Sequence, residues 1–517
     1  MTFNGNSARW LVATTTMLGT FMEVLDTSVA NVALPHIQGT YSAGVDEITW
    51  VLTSYLVANA VILPVTGWIA AYFGRKRAYM ACLLVFTIAS FGAGAAPSLG
   101  FLILMRVIQG LAGGAMVPMS QAIMLEAFPK KEHGKATAFF GIGVIFAPIL
   151  GPLVGGWITD NWSWPWIFYI NIPVGLVAVF LSALLIEDPP YLVKPEGRVD
   201  VASFAFVAVG LGSLEVMLNR GERLDWFQSP FIKFFAFAAA AGIVLFVWRS
   251  LTAEHPLVDL SIFKDRQCAA SMVLIFVVGF VLYGAFVMLP LLVQNLLNYT
   301  PTWAGLILSP GGVASLLALV LVGALSGRVD NRILVAVGVV FMAASNWLLH
   351  LATLSAGVPY YIQAWIYHGL GLGFLFVVLG VAAVQNLPPE KIGVATAFFN
   401  LMRNEGGSVG IAVATTVLAQ RSQFHTHRLA EHVSPFNPLL DQAARELRGG
   451  LSTLSGGDAS TLQQTAMGLL QGEVHRQAAF MAFLDVFWFL AVVMVLSLPL
   501  VLLLRRGRTA PGGLAIH

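Results

Sequence analysis

The sequence predicts an all-α polytopic membrane protein. It has two six-helix bundles related by a parallel pseudo-repeat plus two extra helices, 14 transmembrane helices in all. Three observations predict this. The 517 residues are 57% hydrophobic and only 10% charged, against about 25% charged in an ordinary soluble domain. Apolar runs of the length a bilayer demands, about 20 residues, recur along the whole chain. And the chain repeats itself: Gly134-Lys-Ala-Thr-Ala-Phe-Phe140 is matched by Gly393-Val-Ala-Thr-Ala-Phe-Phe399, 259 residues on. Between 110–140 and 369–399 there are ten identities in 31 ungapped positions. Chance apolar likeness does not hold register across two spans and the loop between them, so the halves descend from one unit. Parallel repeats of this kind place a substrate site between the halves.

Taken in order, the spans are expected near 10–34, 47–72, 77–97, 99–126, 135–159, 165–186, 200–219, 231–251, 267–294, 302–327, 331–354, 359–386, 391–420 and 478–504. The offset lays span 4 on span 12 and span 5 on span 13, so spans 1–6 match 9–14. Residues 1–186 then form the N-terminal bundle. Residues 187–266 form a linker with two inserted helices, and residues 267–517 form the C-terminal bundle with a periplasmic loop at 421–476. The first apolar run, after Arg9, is too long for a signal h-region and lacks a cleavage site, so it is expected to stay as a span. The stretch 187–200, EDPPYLVKPEGRVD, reads as a cytoplasmic linker. The loop 421–476 has helical character and is either a docking surface or a solvated cap. Its His425, His427 and His432 have no cysteine or clustered carboxylate beside them, so no metal site is expected. Cys82 and Cys268 lie in or beside apolar segments and are expected as free thiols.

Lys and Arg set the orientation. With the N-terminus cytoplasmic, 18 of the 28 basic residues fall inside, including Arg75, Lys76, Arg77, Lys130, Lys131, Arg328, Arg332 and Arg505. The outer loops after spans 1, 3, 5, 9 and 11 carry none. Both termini are therefore expected in the cytoplasm.

Span 5, within Gly134–Trp157, holds Gly141, Gly143, Gly151, Gly155 and Gly156 with Pro148 and Pro152. Water would disfavour a helix here. In lipid the backbone must satisfy itself, so a helix is nearly forced. Small residues let a partner helix approach closely, and a bend is expected near the prolines.

Charges inside spans are costly and point to function. Glu23 and Asp26 lie three apart in span 1 and share a face. Arg106 lies in span 4, Arg403 and Glu405 in span 13, and Asp485 in span 14. Burial disfavours an ionised carboxylate and a nearby Arg favours it. A group so balanced can take up and release protons. Asp26, Glu23, Arg106, Glu405 and Arg403 are therefore the expected proton-coupling residues. Arg403 and Glu405 are two apart and need separate partners. His350 and His368 read as interhelical hydrogen-bonders. Phe139, Phe140, Phe398 and Phe399, at matching places in the two halves, are expected to line a central apolar pocket. Gln109 and Asn400 stand with them as substrate contacts, and one phenylalanine of each pair is expected to face away.

These residues resemble a known family. Gly141 to Gly156, with APILGPLVGG at its core, looks like the antiporter motif of the fifth helix in drug exporters of the major facilitator superfamily. Leu102-Ile-Leu-Met-Arg106-Val-Ile-Gln109-Gly110 looks like the fourth-helix motif with its membrane arginine. Val24-Leu-Asp26-Thr-Ser-Val-Ala-Asn31-Val-Ala-Leu-Pro35 is similar to the first-helix motif of the 14-helix drug:proton antiporters. Gly67 to Arg77 resembles the loop 2–3 motif, and Gly323 to Arg332 its second copy. LNRGERLDWF (218–227), HPLVDLSIFK (255–264) and SPFNP (434–438) look like inner-membrane pumps of bacterial tripartite exporters within that subgroup. The resemblance spans essentially the whole chain and implies a major facilitator fold. It assigns gating to Gly67, Gly74, Arg75, Pro148, Gly151, Pro152, Gly155 and Gly156.

The resemblance also implies proton-driven export of small hydrophobic drugs across the bacterial inner membrane. A periplasmic adaptor and an outer-membrane channel of the TolC type would be the partners. No cofactor is implied beyond the proton gradient. Two features depart from the motifs. Ala71 and Tyr72 stand where the loop 2–3 motif has an Asp and an Arg, so its charge lock is expected to be missing. Glu23 and Glu405 are acids in unexpected places. A carrier for one endogenous amphiphile, a fatty acid or a siderophore-like molecule, is the alternative. A membrane-embedded enzyme is the lesser one, because no nucleophile motif, metal cluster or phosphate loop is present, and without GxxxxGK[ST] ATP is not the expected energy source.

Overall fold

The computed structural model describes residues 5–189, 200–253, 256–325, 329–431, 433, 438–455 and 459–504. Most of the 187–200 linker, Arg328, His432, most of SPFNP and the basic tail from 505 lie outside the described residues, as does the side chain of Pro152.

Among the described residues, fourteen long helices carry the fold. They are α1 (Gly5–Tyr41), α2 (Trp50–Phe73), α3 (Arg75–Gly94), α4 (Leu99–Ala127), α5 (His133–Asn161), α6 (Trp166–Leu185) and α7 (Val201–Arg220). Then follow α8 (Pro230–Thr252), α9 (Arg266–Asn295), α10 (Pro301–Leu325), α11 (Asn331–His350), α12 (Val358–Val384), α13 (Ile392–Ala430) and α14 (Ala459–Leu496). Among the described residues, 12 helices are long and apolar enough to cross a membrane. The two remaining, α1 and α13, are 37 and 39 residues long. Buried acids and polar ends dilute their hydropathy. Each of the fourteen predicted spans thus has a helix.

The packing repeats. In the first half α1 packs on α4, α5 and α6, α4 packs on α2 and α3, and α3 on α6. In the second half α9 packs on α12, α13 and α14, α12 packs on α10 and α11, and α11 on α14. These are the same pairs, shifted by eight helices. The seam between the halves has the same symmetry: α5 meets α10 and α12, while α13 meets α2 and α4. The repeat seen in the sequence therefore extends to architecture. The inserted α7 and α8 pack on each other, with α7 also against α2 and α13 at the seam.

The glycines of α5 work as predicted. A methyl at Gly151 would run into Ser28 on α1, and one at its repeat partner Gly410 would run into the Phe280 carbonyl on α9. Bare backbone at these two points is what lets α5 and α13 lie so close to α1 and α9. Past Pro148 and Pro152, α5 continues unbroken to Asn161. Side chains such as Leu153, Phe237 and Leu317 are largely exposed, as lipid-facing groups must be.

The 421–476 stretch is mostly helix. α13 runs on to Ala430, a separate helix spans Pro438–Ser455, and α14 begins at Ala459. Asp485, expected as a charge within span 14, sits where α14 faces this extension. There it accepts from Arg421 Nε at 2.5 Å and pairs with His425 Nε2 at 2.7 Å.

Candidate functional site

Four helices converge on Asp26. Its carboxylate accepts from Arg106 Nη1 at 2.6 Å, from Gln109 Nε2 at 3.0 Å and from Asn171 Nδ2 at 2.7 Å. Arg106 also donates to Gln109 Oε1 at 2.7 Å and to the Val51 carbonyl at 3.1 Å. Gln109 and Asn171 both donate to Ser90 Oγ on α3. Asp26 and Arg106 are fully buried. Arg106 lies over the Tyr55 ring, 4.2 Å from its centroid. A buried ion pair is stable in such a place when its remaining lone pairs and protons find partners. Here neutral amides satisfy the carboxylate, while Arg106 Nη2 has no hydrogen-bond partner among the described residues and the guanidinium lies over the Tyr55 ring. Gln109, expected as a substrate contact, spends its amide inside this network.

One turn earlier on α1, Glu23 accepts from Tyr55 Oη at 2.6 Å and Asn59 Nδ2 at 3.2 Å. Asn59 Oδ1 in turn accepts from Asn404 of α13 at 3.5 Å, and Asn404 Oδ1 accepts from Arg403 Nε and Nη2 at 3.3 Å. The first-half acids are therefore joined to the second half by a chain of polar groups that ends at Arg403. Glu405 points elsewhere, as a two-residue separation requires. It is buried, and among the described residues its carboxyl has no hydrogen-bond partner.

The aromatic pairs split. Phe140 lies face to face with Phe376 at 6.4 Å, and Phe399 meets the same ring edge-on at 6.1 Å. Phe139 turns to Trp10 and Phe398 to Phe263. One ring of each pair thus meets at the seam around Phe376. Beside them Asn400 donates to Gln121 Oε1 at 2.8 Å, again from one half to the other.

Of the residues assigned to gating, Gly67, Gly74 and Arg75 lie at the end of the bundle that holds the α2–α3 and α12–α13 turns, while Pro148 to Gly156 lie in the second half of α5, away from its start at that end. Gly67 packs directly on Val394 at the start of α13, and Gly323 on the start of α5 at Gly134 and Ala138. Gly74 has φ +86°, a conformation that L side chains avoid, and Asp188 closes over it while capping Lys76 N at 2.9 Å. Arg75 is buried and paired with Glu126 of α4. An ion pair is therefore present here, although Ala71 and Tyr72 depart from the loop motif. Trp68 stacks on Tyr72 at 4.9 Å instead. The start of α1 and the last described residues lie at this end too, because Trp10 packs on Phe128 and Arg332 donates to the Leu502 and Leu504 carbonyls. Gly155 packs on Val29, whereas Gly156 faces open space.

His350 Nδ1 donates across the α11–α14 contact to the Leu484 carbonyl, 3.0 Å away, as expected. His368 corrects its expectation. Its ring stacks on Trp365 at 4.3 Å, and neither nitrogen has a hydrogen-bond partner among the described residues. A face-on indole occupies the ring and leaves its edge among apolar groups.

Several site residues escaped the sequence reading. Tyr55, Asn59, Ser90 and Asn171 are neutral polar residues, common in spans, and only the fold brings them to an acid. Glu215 on α7 is different. It is an acid in an apolar span, the same signal that singled out Asp26.

The model of the Major Facilitator Superfamily matches residues 16–411. The multidrug export protein EmrB of Escherichia coli (strain K12) is 34% identical over 96% of this chain and 95% of its own. The fatty acid resistance protein FarB of Neisseria gonorrhoeae is 33% identical over 96% of both chains. Among solved structures, the proton:xylose symporter XylE superposes with a TM-score of 0.57 at 16% identity, covering 95% of this chain and 96% of that one. That likeness supports the fold alone. The motifs, the repeated packing and the family match agree: the chain belongs to the Major Facilitator Superfamily.

Proposed function

We propose that the protein is a proton-coupled multidrug efflux pump, a secondary transporter and not an enzyme, that exports large apolar compounds across the bacterial inner membrane. The observation that carries this is the Asp26–Arg106–Gln109–Asn171 cluster, buried in a chain 34% identical to a multidrug export protein. A buried carboxylate held between a cation and neutral donors changes charge when its surroundings shift, and the proton is the ion that such a group exchanges. Asp26, Glu23, Arg106, Arg403 and Glu405 carry the coupling. The bundles at 1–186 and 267–517 move against each other, hinged on the close contacts at Gly151, Gly155 and Gly410 and latched at Gly67, Gly74 and Arg75. The proton gradient supplies the energy and no cofactor is needed.

With both termini cytoplasmic, as the basic loops favour, the seam is closed on the cytoplasmic side through Gly67, Val394, Gly323 and Phe376. That shape suits an outward-facing state, and substrate meets the Phe140–Phe376–Phe399 cluster when the seam opens inward. We further propose that the pump docks to an EmrA-like periplasmic adaptor and a TolC-like outer-membrane channel through the helical extension at 421–476. Purified pump in liposomes tests the reading: an outward proton gradient, set by acidifying the lumen, should drive uptake of an apolar fluorescent drug as protons leave, and the drug should in turn drive proton flux in the opposite direction. Drug movement without proton movement would overturn it.

A second reading is favoured by FarB, named a fatty acid resistance protein and 33% identical over 96% of this chain: the cargo is a single-chain amphiphile. Competition between a long-chain fatty acid and the drug in the same liposomes distinguishes the two.

A further inference from the structure

We propose that Glu215 on α7 and Glu405 on α13 form a second proton-carrying site, separate from the Asp26 network, through which the inserted helices take part in transport. The inference rests on the proton-coupled reading above.

The inserted α7 and α8 have no counterpart in the repeat. Apolar packing would suffice to fill the seam, yet α7 places one acid in its interior. Glu215 is only 2% exposed. Its Oε1 accepts from Ser408 Oγ of α13 at 2.8 Å, and its Oε2 from Asn219 Nδ2 at 2.9 Å. Both donors are neutral. Glu405 lies one turn before Ser408 on α13, and a three-residue spacing puts both on one face. Glu405 therefore faces the same stretch of α7. It is 4% exposed, neither of its oxygens has a hydrogen-bond partner among the described residues, and Glu215 is the charged group that acts on it.

Among the described residues no ion pair to either acid is formed. Arg403 turns to Asn404 and to the Phe376 ring, 5.9 Å away. On α4, Arg106 is committed to Asp26. Both α2 and α9 bring no acid or base between their ends. On α8, Lys233 and Arg249 lie near the ends, with Arg249 bound to Asp200 at 3.0 Å. On α14, Asp485 is held by Arg421 and His425, and on α12 the His368 ring is stacked on Trp365. Glu23 is screened by Tyr55 and Asn59, which donate to it.

Two carboxylates in an apolar interior do not both stay ionised. One of the two therefore carries a proton. Carboxylate oxygen takes up the proton and yields it again, and no other bond changes. The Ser408–Glu215 bond joins α13 to α7. If α13 moves when the Gly67–Val394 contact opens, that bond is strained and the pair changes its hold on the proton.

Infrared difference spectroscopy of the full-length pump in lipid nanodiscs, stepped in pH without any drug, reads the proton directly. Wild type should show a buried protonated carboxyl band that Glu405→Gln removes. In Glu215→Gln, whose side chain is isosteric, the midpoint of that band should move by about one pH unit or more. Ser408→Ala should also move it. Asp26→Asn should leave it in place. A purely structural role for Glu215 would lower thermal stability and move no midpoint. The proposal is overturned if the band and its midpoint are unchanged in both glutamine variants and in Ser408→Ala, or if the band disappears with Asp26→Asn. Because no drug is present, failure of the antiport reading shows in the liposome flux and failure of this site shows in the spectrum.

Discussion

At the residue scale, the site is an exchange of buried polar groups for solvent. Asp26 replaces its water with one guanidinium and two amides. Removing one partner of such a pair leaves the other charged and unmatched, which costs about 3–5 kcal/mol. Arg106→Ala should therefore lower the unfolding temperature of the detergent-solubilised pump by several degrees. Arg106→Lys should recover only part of it, because an ammonium cannot reach Asp26, Gln109 and the Val51 carbonyl at once. Equal melting of wild type and Arg106→Ala would contradict the geometry described. Asp26 and Arg106 were legible in the sequence because a charge in an apolar span is rare. Glu215 obeyed the same rule and was passed over, its helix having been read as an insertion. Asn171 and Tyr55 could not be read at all, since nothing local tells a polar group that binds an acid from one that bonds its own helix.

At the element scale, the account turns on helices that touch through bare backbone. The repeat in the sequence already implied that α5 and α13 would meet equivalent partners, and they do, at Ser28 and Phe280. Gly151→Val would force α5 away from α1. Core overpacking costs about 1–3 kcal/mol, so this variant should unfold some degrees earlier and transport at a small fraction of the wild-type rate. Gly156→Val, beside open space, should be near wild type in both assays. The reverse ranking would show that α5 does not hinge where proposed. What the glycine pattern could not reveal was direction. Five glycines in one span predict close approach, but only the packing tells which of them meets α1 and which meets the opposite half, as Gly141 does at Leu319 and Phe376.

At the scale of the whole molecule, the halves meet at one end, and that closure must open for cargo to pass. With Cys82 and Cys268 replaced by serine, Gly67→Cys and Val394→Cys place two thiols at the seam. Oxidation should stop drug transport and reduction should restore it; undiminished transport by fully cross-linked pump would contradict the rocking motion. The helical extension at 421–476, proposed as the docking surface, makes a separate claim. Replacing residues 430–470 by a short Gly/Ser linker should leave drug binding in detergent intact and reduce copurification with the proposed adaptor. Normal copurification would place the docking surface elsewhere. The fourteen spans and the two-fold design were legible because lipid imposes length and repetition imposes register. The helical fold of 421–476 was legible only as a tendency, because a helix in water is marginal until it packs.

The measurement that bears most directly on the central claim is proton flux across liposomes holding Asp26→Asn pump, beside wild type, on addition of an apolar drug. Asparagine keeps the shape of the side chain and cannot carry the proton. The account predicts drug-driven proton flux in wild type, its loss in Asp26→Asn, and drug binding within a few-fold of wild type in the variant. Drug-driven proton flux of wild-type size in a folded, drug-binding Asp26→Asn pump would contradict it.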